Sequence, residues 1–270
     1  YNPLNQNKID RRVSHSVITG YLRDYSQNYI DEKTKLIRKN IKRNGAELIV
    51  AVFDQNSADE YSHKREAENY YHIINALFEE RWLGVIFKPK KPATLRTRLG
   101  PDISKLIDEA IGTGRCILLE DSGDYQSNVP VITAAEISDI CIHGSLYAGT
   151  AALECALTNK PTLLLDTVGH PYNRLNELNT NNIIFQSWPS IIESLSQYQK
   201  HKDKMKNFGN WSNYLDSFDP FNDGKGADRM GSYLQYVMEG FEKKLSKENI
   251  LEYASDLYAK KWGSQHIIRS

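Results

Sequence analysis

The stretch "DICIHGSLYAGTAALECALTNKPTLLLD" (Asp139–Asp166) carries the pattern that decides the fold. An apolar run is followed by a tight Gly144-Ser145 turn, a segment rich in small residues, and a second apolar run. Short, near-continuous apolar runs are typical of strands that are buried on both faces of a parallel sheet, and the segment between them is long enough for a crossover helix. The stretch therefore predicts a strand–turn–helix–strand unit.

The same alternation extends on both sides of this unit. The predicted strands are "AELIVAVFD", "LGVIFKPKKP", "RCILLED", "DICIHG", "PTLLLDTVG" and "NIIFQS". Predicted helices separate most of them, for example "DISKLIDEAIGTG" before the third strand and "SLYAGTAALECALTNK" after the fourth. Strands that alternate with helices indicate an α/β protein with a Rossmann-like, doubly wound parallel sheet.

The sheet pattern covers residues 46–210, which we interpret as the ligand-binding domain; its end carries a predicted helix over Trp188–Lys206. Residues 1–45 are polar and predict an N-terminal helical segment with a helix over Tyr29–Asn44. Residues 211–270 predict a C-terminal helical extension built around a helix over Ala227–Tyr258. The sequence thus predicts one sheet domain with helical extensions at both ends.

Composition narrows the class of protein. The 34 Lys and Arg residues balance 34 Asp and Glu residues, so no overall basic field favours nucleic acid as a partner. Three cysteines in apolar segments indicate reduced thiols in a cytoplasmic protein rather than a disulfide framework. No signal peptide and no apolar run of bilayer-spanning length is present. Because the first residue is Tyr1 and not Met, the sequence leaves open whether the chain is a fragment.

The Gly144-Ser145 turn is the first candidate binding site, because ligands of open parallel sheets bind where strands end and helices begin. A helix that starts at this turn has free N–H groups and a dipole for a phosphate. Thr150 and Glu154 are four residues apart and share one helix face, where the carboxylate can accept both hydroxyls of a ribose. The alternative stays open that Ser145 only caps the helix and Glu154 faces water.

Lysines and acids at the other strand ends add to this candidate site. Lys88 and Lys90 follow the second strand in a proline-stiffened loop, where they can neutralise a phosphate or remain merely solvated. Asp54 follows the first strand and is our candidate for a catalytic base. Glu120 follows the third strand. We expect all four to lie at one edge of the sheet.

Two histidines are further candidates. His143 ends the fourth strand beside the glycine turn and is a candidate catalytic residue, and His170 lies in a loop that can cover a nucleotide base. No HxxxH or CxxC spacing occurs, so the sequence predicts no zinc site. The acids Asp54, Asp121 and Asp124 can hold Mg²⁺ through phosphates, and no cofactor is predicted.

Taken in order, these motifs resemble the C-terminal, donor-binding half of GT-B glycosyltransferases. The likeness covers about residues 46–186 and is strongest to bacterial surface-polysaccharide enzymes, including the CMP-sugar-using sialyl- and Kdo-transferases and the CDP-glycerol transferases. Those families carry a Lys-Pro-His-Pro loop after a strand and a Ser/Thr pair near a helix start. This chain has Lys88-Pro89 followed by Lys90, with one extra residue before Pro92.

The resemblance implies roles for individual residues. It places Lys88 and Pro89 beside the donor phosphate, Gly144 and Ser145 on the same phosphate, and Glu154 on the ribose; the assignment of Thr150 is weaker. Lys90 stands where the family has histidine, which puts an imidazole role there in doubt. GT-B enzymes that invert usually draw their base from an N-terminal domain, so the base lies outside this sequence or Asp54 takes the role.

The segment "FDPFNDGKGADRMGSYL" (Phe218–Leu234) resembles an Asp-Gly-Lys turn that precedes the last helix of some polysaccharide-synthesis proteins. Gly224 suits a turn because it tolerates positive φ. Lys225 and Arg229 are the members that can reach a phosphate or carboxylate. We expect the rest of the segment to be structural.

Together these patterns predict a metal-independent glycosyltransferase, or its donor-binding half, that uses a nucleotide-sugar, CMP- or UDP-linked, in surface polysaccharide synthesis. The acceptor would be a glycan or a lipid-linked glycan, and association with the inner face of a membrane or with a partner domain stays open. Two alternatives remain: a non-catalytic nucleotide-binding module, and a sugar-nucleotide epimerase-like α/β enzyme. G-x-G-x-x-G and G-x-S-x-G are absent, which disfavours a dinucleotide oxidoreductase and a serine hydrolase.

Overall fold

The computed structural model of the protein describes residues 15–25, 32–55, 60–119, 129–146, 149–169, 174–178 and 182–269. The chain forms two compact units. One is Asn28–Ser212, the sheet unit, and the other combines Tyr1–Gln27 with Asn213–Ser270, the terminal unit.

The described elements follow one another along the chain as short strands and longer helices. In order they are β1 (His15–Val17), α1 (Glu32–Arg43), β2 (Leu48–Phe53), α2 (Glu60–Glu79), β3 (Leu83–Lys88), α3 (Pro92–Gly112), β4 (Cys116–Leu118), α4 (Val131–Ile137), β5 (Ile140–His143), α5 (Thr150–Leu157), β6 (Thr162–Leu165), β7 (Ile184–Phe185), α6 (Trp188–Lys200), α7 (Leu215–Phe218), α8 (Gly226–Glu242), α9 (Lys247–Trp262) and β8 (Ile267–Arg269). Short 3-10 helices lie at Arg174–Leu178, Lys202–Lys204 and Ser264–His266.

The sheet unit is built on a six-stranded sheet with the strand order β4-β3-β2-β5-β6-β7. Every neighbouring pair is parallel. Counted from β2, the order is that of the doubly wound dinucleotide-binding sheet, with a reversal between β2 and β5. The predicted Rossmann-like α/β fold is confirmed, and all six predicted strands belong to this sheet.

Alternate residues of β2 face two separate cores, which explains why the strand is apolar at every position. Leu48, Val50 and Val52 belong to a core shared with α2, α3 and α6. Ile49, Ala51 and Phe53 belong to a second core with residues of α1, α4 and α5. Helices therefore cover both faces of the sheet.

The unit boundaries differ from the expected ones at residues 45 and 210. Helix α1 lies in the sheet unit because Ile41 is fully buried in the core beside β2. The predicted helix over 227–258 is two helices, α8 and α9, separated by a turn in which Lys244 has a positive φ of 56°. The two chain termini form one unit rather than two separate extensions.

Helix α3 starts ten residues earlier than the predicted "DISKLIDEAIGTG" helix. Pro92 occupies its first turn, where the missing N–H costs nothing. Gly100, with φ 81°, breaks the helix before Pro101, and the Ser104 hydroxyl donates to the Gly100 carbonyl at 2.7 Å. The segment before the break is helical, and it carries Arg98.

In the terminal unit, β1 and β8 pair as antiparallel strands. The Tyr25 hydroxyl donates to Asp219 at 2.7 Å, and the Tyr258 hydroxyl donates to the Ile18 carbonyl at 2.8 Å. Gly20 has φ +83°, and a Cβ at this position would lie 2.6 Å from the Asp219 carboxylate. These contacts tie the N-terminal strand to the C-terminal helices.

Candidate functional site

Three predicted site residues, Asp54, Lys88 and His143, lie at or just after the ends of neighbouring strands, at the carboxyl edge of the sheet. Phe53 of β2 pairs with Lys88 of β3 on one side and with His143 of β5 on the other. The loops that follow β2 and β5 leave at the point where the strand order reverses, the usual ligand site of open α/β sheets. The structure therefore places Asp54, Lys88 and His143 at one edge, as their positions at strand ends predicted.

A cleft opens at this edge within the sheet unit. One face of α2 forms a wall, and the segments after β2, β5, β6 and β7 form the rest. Its lining residues are Gln55, Arg65, Glu68, Asn69, His72, Gly144, Ser145, Leu146, Leu165, Asp166, Thr167, Val168, Gln186, Ser187, Trp188 and Pro189. The cleft combines apolar surface with charged side chains of both signs and lies against the Gly144-Ser145 turn.

Asn69 of α2 joins three elements around the cleft. Its side-chain amide donates to the Gly144 carbonyl at 3.1 Å and accepts from the Trp188 indole N–H at 2.8 Å. A Cβ on Gly144 would lie 2.5 Å from the Asn69 nitrogen. The glycine is therefore required by close packing of the turn against α2, independently of any ligand.

Gly144→Ala is expected to lower the free energy of unfolding by about 1–3 kcal/mol, because the added methyl group must displace the Asn69 side chain. Urea denaturation measures the change. Gly112→Ala is the matched control, since a Cβ at Gly112 meets no atom within 4 Å. Equal stability of the two variants would contradict the role of the Asn69 contact.

His143 is buried, with 1% of its surface exposed. Its Nδ1 lies 2.8 Å from the Ser145 carbonyl oxygen, and the Ser145 N–H lies 3.2 Å from the same nitrogen. Burial, with a smaller contribution from the charge of Lys90, lowers the pKa of His143 to about 4. The imidazole is neutral at pH 7 and holds the turn through these contacts; its catalytic role stays a prediction.

Asp54 lies in a buried cluster with Glu66 of α2 and Arg98 of α3. The side chains of Asp54 and Glu66 are each 1% exposed and that of Arg98 is 9% exposed. Arg98 donates to Glu66 and lies 3.4 Å from Asp54, whose other oxygen accepts from the Lys90 backbone N–H at 2.5 Å. The Asp54 carboxyl is thus enclosed and bonded through both oxygens, and its role as catalytic base stays a prediction.

The two lysines of the loop differ. Lys88 is buried, and its ammonium donates to the Pro89 carbonyl at 3.2 Å, whereas Lys90 is exposed. The loop thus holds one buried strand-end lysine and one exposed lysine at the edge of the sheet, and their phosphate roles stay predictions.

The predicted helix start at Gly144-Ser145 is corrected. Helix α5 begins at Thr150, with Gly149 as its N-cap. Thr150 is exposed, whereas Glu154 is 3% exposed and does not face water. The ribose role of Glu154 stays a prediction.

Arg229 makes its contacts within the terminal unit. Its guanidinium, 3% exposed, makes a bidentate contact with Asp223 and lies over the ring of Phe221 at 3.5 Å. The Trp262 ring lies 4.9 Å from it on another side. Arg229 reaches a carboxylate, as predicted, but one of its own chain, so its phosphate role is corrected to a structural one. Lys225 is exposed at the N-cap of α8.

Glu120, Asp121, Asp124 and His170 lie outside the described residues. Sequence reasoning also missed the α2 wall of the cleft. Its lining residues recur at positions 65, 68, 69 and 72, the spacing of one helix face, so the signal was present in the sequence. Glu66 and Arg98 carried no such signal, because only the tertiary fold brings α2 and α3 to Asp54.

The described part of the chain shows neither a metal-binding cluster nor a membrane-spanning helix. No group of three or more His, Cys, Asp or Glu side chains there is arranged to hold a metal ion. Of the described helices, none combines the length and apolar character needed to cross a bilayer.

Solved structures were compared with the chain as a whole. Neither a protein-family profile nor a curated protein matches the sequence. The chain is similar to S. aureus MnaA in a co-structure with UDP, at a TM-score of 0.54 and 11% identity, over 87% of this chain and 57% of that one. The fold is shared. The likeness confirms the Rossmann-like α/β architecture and supports a GT-B-like fold.

Two further structures are similar. A putative UDP-N-acetylglucosamine 2-epimerase from Listeria monocytogenes matches at a TM-score of 0.50 and 11% identity, over 83% of this chain and 54% of that one. The C-terminal domain of a group 1 family glycosyl transferase (LpcC) from Francisella tularensis matches at a TM-score of 0.47 and 13% identity, over 72% of this chain and 95% of that one. No argument is based on this TM-score. The chain spans little more than half the length of the first two.

Proposed function

We propose that the sheet unit binds the nucleotide part of a nucleotide-sugar in the cleft and that the protein acts on the attached sugar as a glycosyltransferase. One observation carries the proposal: a cleft with charged side chains of both signs lies where the strand order of a parallel sheet reverses, against the Gly144-Ser145 turn. The guanidinium of Arg65 and the imidazole of His72 are presented to that cleft from α2.

The residues around the cleft suit the charge that such a reaction develops. Displacing a sugar from a nucleotide leaves a phosphate whose growing negative charge must be stabilised. Arg65 lines the cleft, with its guanidinium 4.8 Å from the Tyr61 ring centre, and Lys90 is exposed at the same edge of the sheet. We propose these as phosphate ligands, together with the turn at Gly144 and Ser145, and Glu154 as the ribose ligand.

An epimerase-like activity is the second candidate. It is favoured by the two structures with the higher TM-scores, one a co-structure with UDP and the other named a putative UDP-sugar 2-epimerase. Asp54, the predicted base, is enclosed, whereas Glu68, His72 and Asp166 line the cleft and are the described groups from which a base can come. Both candidates share a nucleotide-sugar ligand.

Nucleotide binding is the first test. UDP, CMP, CDP, GDP and NAD are added separately, and one nucleotide is expected to raise the melting temperature because it binds only the folded state; at 100 times its Kd the stabilisation is about 2.7 kcal/mol. Arg65→Met should reduce the shift at the same ligand concentration. Arg43→Met, on the exposed surface of α1, is the matched control. No shift with any nucleotide would refute the proposal.

Product analysis then separates the candidates. The protein is incubated with the sugar conjugate of the stabilising nucleotide and with a glycan acceptor. A transferase releases free nucleotide in amounts that depend on acceptor, whereas an epimerase changes the sugar while it remains nucleotide-linked. Nucleotide binding without either product would indicate a non-catalytic module.

A further inference from the structure

The backbone at Lys90 and Lys91 is held from two sides by buried side chains. Asp54 accepts a hydrogen bond from the Lys90 N–H at 2.5 Å. Arg98 donates to the Lys91 carbonyl at 3.4 Å and also contacts Asp54. One acidic and one basic side chain thus hold the two peptide groups on either side of the Lys90–Lys91 peptide, a contact pattern that fixes the course of the loop after β3.

Glu66 completes this bracket. Arg98 donates to Glu66, and all three side chains are at least nine-tenths buried. Two carboxylates and one guanidinium would leave a buried net negative charge, which is unfavourable; one retained proton makes the cluster neutral. Burial, followed by the charge of Glu66, accordingly raises the pKa of the Asp54 carboxyl well above its usual range.

We propose that Asp54, Glu66 and Arg98 form a proton-sharing clamp that positions the Lys90–Lys91 segment at the carboxyl edge of the sheet, and so couples ligand affinity at this edge to pH. The part that concerns affinity rests on the proposed function. The part that concerns the position of the segment rests only on the contacts above. These residues are positioning residues, because none of them lines the cleft.

The groups that face the clamp come from each surrounding element. Tyr70 of α2 is fully buried, its hydroxyl has no hydrogen-bond partner among the described residues, and its ring stacks on Phe87 at 4.4 Å. Burial raises the pKa of the Tyr70 hydroxyl, and the charge of Asp54 raises it further. Cys116 of β4 is buried, and burial raises its pKa to about 12. The exposed ammonium of Lys90 acts on His143, whose imidazole stays neutral above pH 5.

The sign of the pH effect follows from the retained proton. The folded protein keeps a proton that the unfolded chain releases near the ordinary aspartate pKa of 3.8. Stability from this group is complete below that pH and is lost as pH rises through the higher pKa of the folded state. Above it, two carboxylates repel each other across one guanidinium, and the bracket around Lys90 and Lys91 is expected to loosen.

Asp54→Asn tests the clamp, because an amide oxygen still accepts from the Lys90 N–H but cannot titrate. Urea denaturation of the full chain is measured from pH 5 to pH 9. The unfolding equilibrium constant of the unchanged protein is expected to rise by up to about tenfold per pH unit relative to that of Asp54→Asn. Glu66→Gln should flatten the pH profile in the same way. Identical profiles for the variants and the unchanged protein would overturn the proposal.

Hydrogen exchange at the Lys90 and Lys91 amides provides a measurement that does not depend on nucleotide binding. Asp54→Ala removes the acceptor and should speed exchange in this segment, and Asp54→Asn should not. Asp108→Ala is the control, because Asp108 pairs with Arg96 on the exposed side of α3. Unchanged exchange in Asp54→Ala would overturn the clamp.

Affinity is tested with the nucleotide that stabilises the protein, or with UDP if none does. The Kd of the unchanged protein is expected to increase with pH, while that of Asp54→Asn stays nearly constant. If UDP binds at no pH, the proposed function fails and the clamp is judged by exchange and stability alone. Parallel pH profiles of Kd in both proteins would overturn the coupling of affinity to the clamp.

Discussion

Arg98→Met is expected to lower the free energy of unfolding by about 3–5 kcal/mol, because it leaves two buried carboxyl groups without their cation. The loss is large beside the total stability of about 5–15 kcal/mol that is typical of a domain. Urea denaturation at pH 7 measures it. Because the destabilisation comes from charge, it should be smaller at pH 5, where the carboxyl groups retain more protons.

The adjacent surface pair provides the control for this experiment. Arg96 lies on the same helix and contacts Asp108 at 2.8 Å, but the two side chains are 41% and 63% exposed. Arg96→Met should therefore cost less than about 1 kcal/mol. Adding Glu66→Gln to Arg98→Met should recover part of the stability, since Asp54 keeps its proton and Glu66 carries the remaining buried charge. If both arginine variants lose the same stability, the buried cluster contributes no more to the free energy of unfolding than the exposed pair does.

Arg229→Met is expected to destabilise the terminal unit by about 3–5 kcal/mol. It removes a buried guanidinium from Asp223 and from its positions over Phe221 and Trp262. The hydrogen bond from Arg229 also lowers the pKa of Asp223, so this stabilisation is present at neutral pH and is lost as pH falls through that lowered value. Hydrogen exchange should speed mainly in residues 15–25 and 213–269.

Arg269→Met is the control in the same unit. Arg269 of β8 contacts Glu252 and Asp256, and its side chain is 49% exposed, so its loss should cost less than about 1 kcal/mol. The same comparison tests the corrected role of Arg229. If Arg229→Met leaves exchange and stability unchanged, Arg229 is not structural, and a role toward a ligand phosphate returns to consideration.

The strands could be predicted from sequence, whereas several helix boundaries could not. Strands such as β2 are buried on both faces, and the resulting apolar runs need no tertiary information to be recognised. The first part of α3 was not predicted, yet Pro92 is tolerated in a first helical turn, and the break at Gly100 separates this part from the predicted helix. The start of α5 at Thr150 was missed because Gly144-Ser145 has the composition of a cap while Gly149 fills that position.

The candidate site was predicted in part for a similar reason. Parallel strands end at one edge, so placing Asp54, Lys88 and His143 together required only the fold class. Their chemistry depended on burial, which no pattern in the sequence reports. Asp54 and His143 have the residue types of a base, and the structure shows both enclosed and bonded to their neighbours.

The sequence by itself therefore determined the alternation of strands and helices and the edge at which a ligand site can lie, because periodicity and strand order follow from local burial patterns. Only the tertiary structure decided which charged groups face that edge. Glu66 and Arg98 reach Asp54 because α2 packs on α3. The two residues are 32 positions apart along the chain. The charge balance of the buried cluster depends on those long-range contacts. They also decide which residues can bind a ligand and which residues hold the site in place.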